Sequence, residues 1–116
     1  LHEYLGRFKE AEEMYRKALA LEPGDLAIRS NLGVSLYKQG EDAKAREQFN
    51  RVLKIDPYDQ TANYHLGLIG IEEGDKGEFV RRMAMAIQDN PRSRLGVRAV
   101  DLLRKFRTGE LKIPRE

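Results

Sequence analysis

Two histidines, His2 and His65, are the natural candidates for a general base or a metal ligand, and they lie 63 residues apart. A base or a ligand needs partners within hydrogen-bond or coordination reach, and the two histidines do not form such a constellation, His2 lying at a ragged end. His65 sits beside Leu66 in an apolar stretch, the setting of a packed or rim histidine. Glu72, Glu73 and Asp75 could hold a cation by type, but they adjoin a turn and adjacent side chains diverge. Gly67, Gly70, Gly74 and Gly77 imitate a phosphate loop only in composition, since no strand precedes them and no Lys-Ser/Thr pair follows. There is no cysteine, so disulfides, thiolate metal sites and thiol nucleophiles are excluded. No catalytic residue, no metal site and no cofactor is expected. The chemistry left to these side chains is recognition.

Composition agrees. Hydrophobic residues at 41% and charged residues at 34% describe a soluble globular chain. No run nears the roughly 18 apolar residues of a spanning helix, so no direct membrane span is expected. The opening Leu1-His2-Glu3-Tyr4 has neither the basic nor the apolar block of a secretory signal. It lacks an initiating Met, as a fragment or a processed product would, and an address could have been removed, so the compartment stays open with the cytoplasm only as a default. Charge is uneven along the chain. Residues 1–80 carry 11 Lys+Arg against 15 Asp+Glu, a net of −4, and residues 81–116 carry 10 against 4, a net of +6.

The elements that position these residues follow from a repeat. Pro23, Pro57 and Pro91 are 34 residues apart, as are Gly6, Gly40 and Gly74, and Gly33 and Gly67. Apolar columns keep the interval: Leu32 with Leu66; Leu19, Leu53 and Ile87; Tyr15, Phe49 and Met83; Ala18, Val52 and Ala86. Asp25, Asp59 and Ser93 occupy one column of helix N-caps. Between each proline and the next glycine lies one helical stretch, such as Leu26 to Gln39, and after the glycine a second, Asp42 to Ile55. Gly40 stops the first helix because it can take positive φ. Pro57 stops the second and pushes Asp56 out of the α region. Each unit is therefore helix–turn–helix, and such hairpins bury their apolar faces only by stacking. Gly33 and Gly67, each costing about 1 kcal/mol relative to Ala in a helix, are read as close-approach points opposite small residues such as Ala11 and Ala45.

The series Asn31-Leu32-Gly33, Tyr37, Gly40, Ala45, Phe49, Leu53, Pro57 resembles the tetratricopeptide repeat consensus, over nearly the whole chain. The resemblance implies an all-α, right-handed solenoid of antiparallel helix hairpins. Residues 1–25 would be a partial repeat, 26–59 a full one, 60–93 a divergent one, 94–107 a capping helix and 108–116 a tail. In the divergent repeat Gly70 replaces a large residue and Phe79 a small one. A volume-conserving exchange is inferred, with the Phe79 ring filling the space over Gly70, and Gly77 is expected to fray the start of that helix. In the capping helix Leu95, Ala99, Leu102, Leu103 and Phe106 share one face. Arg94, Arg98, Asp101 and Lys105 take the other, polar face, and Leu111 and Ile113 could dock the tail.

The resemblance also implies that first helices line a concave side where a ligand lies. Ala27, Ser30, Val34, Tyr37 and Lys38 form one stripe there, and Thr61, Tyr64, Leu68, Ile71 and Glu72 its counterpart. Tyr37 and Tyr64 are the expected anchors for a peptide or helix from a partner protein. A chaperone-carboxylate clamp is not expected: Asn31 matches, but Ser30, Val34, Thr61 and His65 fill the other clamp slots. Two further readings remain open. The helix carrying Leu5, Phe8, Met14 and Tyr15 is short of a packing partner, so the N-terminal end could join a second copy or an upstream repeat. The basic set Arg94, Arg98, Arg104 and Lys105 could tether the chain to a membrane surface or nucleic acid, although no nucleic-acid motif accompanies it.

Overall fold

A computed structural model describes residues 2–112, with side chains described from Gly6 onward. Leu5 and Ile113, named above as packing candidates, lie outside the described side chains. Six helices are found among the described residues: α1 His2–Leu21, α2 Leu26–Lys38, α3 Asp42–Ile55, α4 Gln60–Glu72, α5 Lys76–Asp89 and α6 Arg94–Thr108. They form two compact units, Leu1–Ile55 and Asp56–Glu116. The fold is all-α, with successive helices packed as hairpins.

The same local chemistry sets the helix starts one repeat apart. Asp25 accepts from Ile28 N at 3.0 Å, Asp59 from Ala62 N at 2.9 Å and Ser93 from Gly96 N at 3.0 Å. Each satisfies an amide that has no partner inside its helix. The turns also repeat. Gly40 and Gly74 adopt φ of 81° and 85°. After them Glu41 N bonds to Leu36 O at 2.9 Å and Asp75 N to Gly70 O at 2.8 Å, while the glycine amides bond to Tyr37 O and Ile71 O. These are Schellman closures, which need a left-handed residue at the glycine position.

In the first unit α2 packs between α1 and α3. Leu32, Leu36, Ala45, Phe49 and Val52 are buried there, and Leu19 joins them from α1. Gln39 Nε2 ties α2 to α1 by donating to Glu12 Oε1 at 3.0 Å and to Phe8 O at 3.4 Å. Gly33 and Gly67 are close-approach points, but what approaches is large. A β-carbon on Gly33 would stand 2.5 Å from Phe49 Cε1, and one on Gly67 2.8 Å from Met83 Cε. The glycines thus accommodate the bulky members of the opposite helix, where small residues were expected.

In the second unit α4 packs against α5 and α6. Its residues from Ala62 through Gly70 are all buried. The expected exchange between Gly70 and Phe79 is corrected. The atoms nearest a β-carbon on Gly70 belong to Glu78, with Oε1 at 2.7 Å. Phe79 is fully buried, and its ring meets Phe106 of α6 with centroids 5.2 Å apart. Phe79 serves the joint with the last helix. Gly77 lies inside the first turn of α5, behind the cap that Asp75 makes to Glu78 N at 2.9 Å.

Candidate functional site

Asp75 of the acidic cluster and the central histidine have structural roles. Asp75 is the α5 cap just described. His65 is 7% exposed, and its Nδ1 donates to Thr61 O at 2.8 Å while its ring meets Tyr64 edge-on. Among the described residues no group of three or more His, Asp or Glu side chains could hold a metal ion. Among them, too, no helix is long and apolar enough to cross a membrane.

The two expected contact stripes differ in access. On α2, Ser30 and Tyr37 are 4% and 1% exposed, and on α4, Tyr64 and Leu68 are 2% and 3% exposed. These four side chains were expected at the surface as contacts, and the structure corrects that. A tyrosine or leucine at these positions gains more from burial among the chain's own helices than from water. Tyr64 is the clear case: burial pushes its phenol above the ordinary tyrosine value, against the opposing pull of Arg98 and Arg94 on α6.

What remains open on α2 is an edge made of Ala27, Asn31, Val34 and Lys38, exposed or half-buried. Spacings of four, three and four place these residues on one stripe. On α4 the corresponding positions are Thr61, His65, Leu68 and Glu72. Only the ends of that helix reach solvent, through half-buried Thr61 and Ile71 and exposed Glu72.

The basic set divides as well. Arg104 and Lys105 are both engaged by Asp101, Lys105 at 3.1 Å. The Lys105 hydrogen bond, with Arg104 beside it, holds the Asp101 carboxyl below the ordinary range despite some desolvation. Arg94 and Arg98 exert their charge on Tyr64. The outer face of α6 is also less polar than expected, because Val97 and Val100 are 57% and 48% exposed. They had no place in the expected two-faced pattern, although both are plain in the sequence.

One pair of side chains has no counterpart in the sequence reading. Arg29 donates to Gln48 Oε1 at 2.8 Å on α3 and to Pro23 O at 3.1 Å. One repeat later Asn63 accepts from Arg82 at 3.2 Å on α5 and donates to Pro57 O at 3.0 Å. Each ties the first helix of a hairpin to the second and to the loop before it. Arg and Asn do not look alike in sequence, so only shared position could have revealed the equivalence.

No curated protein shows significant similarity to the chain. A family profile described as tetratricopeptide repeat matches residues 1–60, which span α1, α2 and α3. With that match, the recurring caps and turns, and the hairpin packing of the helices, the chain belongs to the tetratricopeptide repeat family, whose repeats serve protein–protein interaction.

Proposed function

We propose that this protein is a non-catalytic scaffold that holds a peptide or helix of another protein, with α2 as its main contact. The observation that supports this most is the stripe Ala27, Asn31, Val34 and Lys38. It combines an aliphatic centre with a neutral amide and a cation along one edge of a firmly capped helix. Such an edge suits an amphipathic helix or an extended apolar segment. Thr61, Ile71 and Glu72 at the ends of α4 are secondary candidates. Ser30 and Tyr37 are buried on α2 behind that stripe.

Displayed random peptides selected on the 116-residue chain test the reading. Selected peptides should shift the amide resonances of α2 around Asn31, Val34 and Lys38. Val34→Asp should weaken them by roughly tenfold or more, as loss of a central contact does. Peptides that shift only the outer faces of α3 or α6, and bind Val34→Asp unchanged, would remove α2 from the proposal.

A further inference from the structure

Arg16 of α1, Arg29 of α2 and Arg51 of α3 line one shallow depression of about 250 Å³ within the first unit. Leu19 and Leu32 give it apolar walls, and Gln48 of α3, almost fully buried, adds an amide. No carboxylate is among its lining residues. Like charges gathered in one hollow repel one another, a cost that an anion removes. One of the three charges is balanced at the edge, where Glu12 pairs with Arg16 at 2.9 Å. Arg29 is held instead by two neutral oxygens, Gln48 Oε1 at 2.8 Å and Pro23 O at 3.1 Å. The Arg51 guanidinium has no hydrogen-bond or ion-pair partner among the described residues. Two guanidinium charges therefore stand at one hollow without an anion.

The repeat itself does not require them. Counting by 34, Asn50, Asn63 and Met85 occupy the columns of Arg16, Arg29 and Arg51. The second unit ties its first helix to its second with a single cation, Arg82, which donates to Asn63 at 3.2 Å. That cation has an anion beside it, Glu78 at 3.8 Å, whereas the column of Glu78 holds Lys44 in the first unit. The same hairpin is thus closed in the second unit with its charge compensated. The surplus in the first unit answers to something other than folding.

We propose that this depression binds a phosphate monoester. A carboxylate brings one charge and two oxygens, whereas a phosphate monoester brings nearly two charges and three strong acceptor oxygens. The second set matches two uncompensated guanidiniums. The bonds to Gln48 and Pro23 fix the plane of the Arg29 fork, and its remaining N–H groups can meet phosphate oxygens in the paired geometry that guanidinium favours. Gln48, whose Oε1 is turned to Arg29, keeps its Nε2 as a further donor. Leu19 and Leu32 suit the carbon side of an ester. The approach is positive too, because Arg51 also lines a hollow on the outer face of α3 with Arg46 and Lys54 against one carboxylate, Glu47. By helical spacing Arg29 and Leu32 lie on the opposite side of α2 from Val34 and Lys38. Two sources carry this chemistry: a phosphorylated serine in a protein chain, and a small soluble phosphate ester.

Titration with N-acetylphosphoserine amide at low salt should shift the Arg29 Nε–H and Gln48 side-chain amide resonances in a saturable way. N-acetylserine amide should leave them in place, and N-acetylglutamate amide should bind several-fold more weakly. Arg51→Gln should weaken phosphoserine binding by roughly tenfold, the scale of a lost charge-assisted hydrogen bond. Arg51 is exposed and unpaired, so this variant should keep the parent's circular dichroism. Lowering the pH from 7 to 5 should also weaken binding, because the phosphate loses its second charge near about pH 6. Glycerol 3-phosphate separates the sources. Weaker binding than phosphoserine assigns the site to a phosphorylated chain, and equal binding assigns it to a soluble ester. No saturable shift, equal binding of the glutamate compound, or unchanged binding by Arg51→Gln would each overturn the proposal. Arg51→Gln should leave peptide binding on α2 as it is in the parent, which keeps the two proposals separable.

Discussion

The ring of Phe49 lies directly over Gly33, so that a β-carbon at Gly33 would stand 2.5 Å from Cε1 and 2.8 Å from Cζ. Both partners are buried. In the next repeat Gly67 faces Met83, whose terminal methyl is the nearest atom. The column is the same and the stiffness of the neighbour differs.

Gly33→Ala should therefore destabilise the chain by about 1–2 kcal/mol. Displacing a packed ring costs about 1–3 kcal/mol, and replacing a helical glycine returns up to about 1 kcal/mol. Gly67→Ala should cost at least about 1 kcal/mol less, because a thioether reorients where a ring cannot. Urea unfolding of the two variants side by side decides it; equal losses would mean that neighbour stiffness does not govern the column.

The helix boundaries of the full repeat rest on two residues. Asp25→Ala should cost about 1 kcal/mol through loss of the bond to Ile28 N. Gly40→Ala should cost about 1–2 kcal/mol, because its left-handed φ suits no residue with a β-carbon. Amide exchange should quicken at Ile28 in the first variant and at Gly40's neighbour Glu41 in the second. Unchanged protection at these amides would contradict the assignment.

Phe79 separates two accounts of the divergent repeat. Phe79→Ala should destabilise by about 3–5 kcal/mol, as truncation of a buried aromatic does. Gly70→Leu should fail to rescue it, because a side chain at Gly70 meets Glu78 and cannot fill the space against Phe106. Recovery of thermal stability in the double variant would restore the simple large-for-small exchange.

Tyr64 gives a pH dependence. Its folded value lies above the unfolded one, first through burial and against Arg98 and Arg94, so folding favours the protonated phenol. The stabilising contribution is complete below about pH 10, the unfolded value, and is lost as pH rises through the folded value. Tyr64→Phe, which has no proton to lose, should flatten part of the alkaline fall in melting temperature. Parallel profiles for parent and variant above about pH 10 would show that Tyr64 does not contribute.

Much of this molecule is legible in one dimension because its decisive interactions are short-range. The caps at Asp25, Asp59 and Ser93 bond three residues ahead, and the closures at Gly40 and Gly74 span five residues. Residue type and spacing are enough to specify them, and the interval of 34 then carries the hairpin plan. The expected contact surface fared differently. Tyr37 shares a helical stripe with Val34 and Lys38 on α2, as Tyr64 does with Leu68 and Ile71 on α4, and periodicity assigns each set to one face. Whether that face meets water depends on what packs beside it.

That second question is settled between helices distant in sequence. α6 lies over the Tyr64 side of α4, Phe79 finds its partner in Phe106, and Glu78 rather than Phe79 comes to Gly70. Arg29 and Asn63 reach the same neighbours by different chemistry. Sequence alone determined the helices, their ends and their family, because backbone hydrogen bonding within a few residues enforces them. Only tertiary structure decided which apolar side chains became core and which, like Met14, Val97 and Val100, stayed at the surface. Burial depends on neighbours that the linear chain brings together only when it folds.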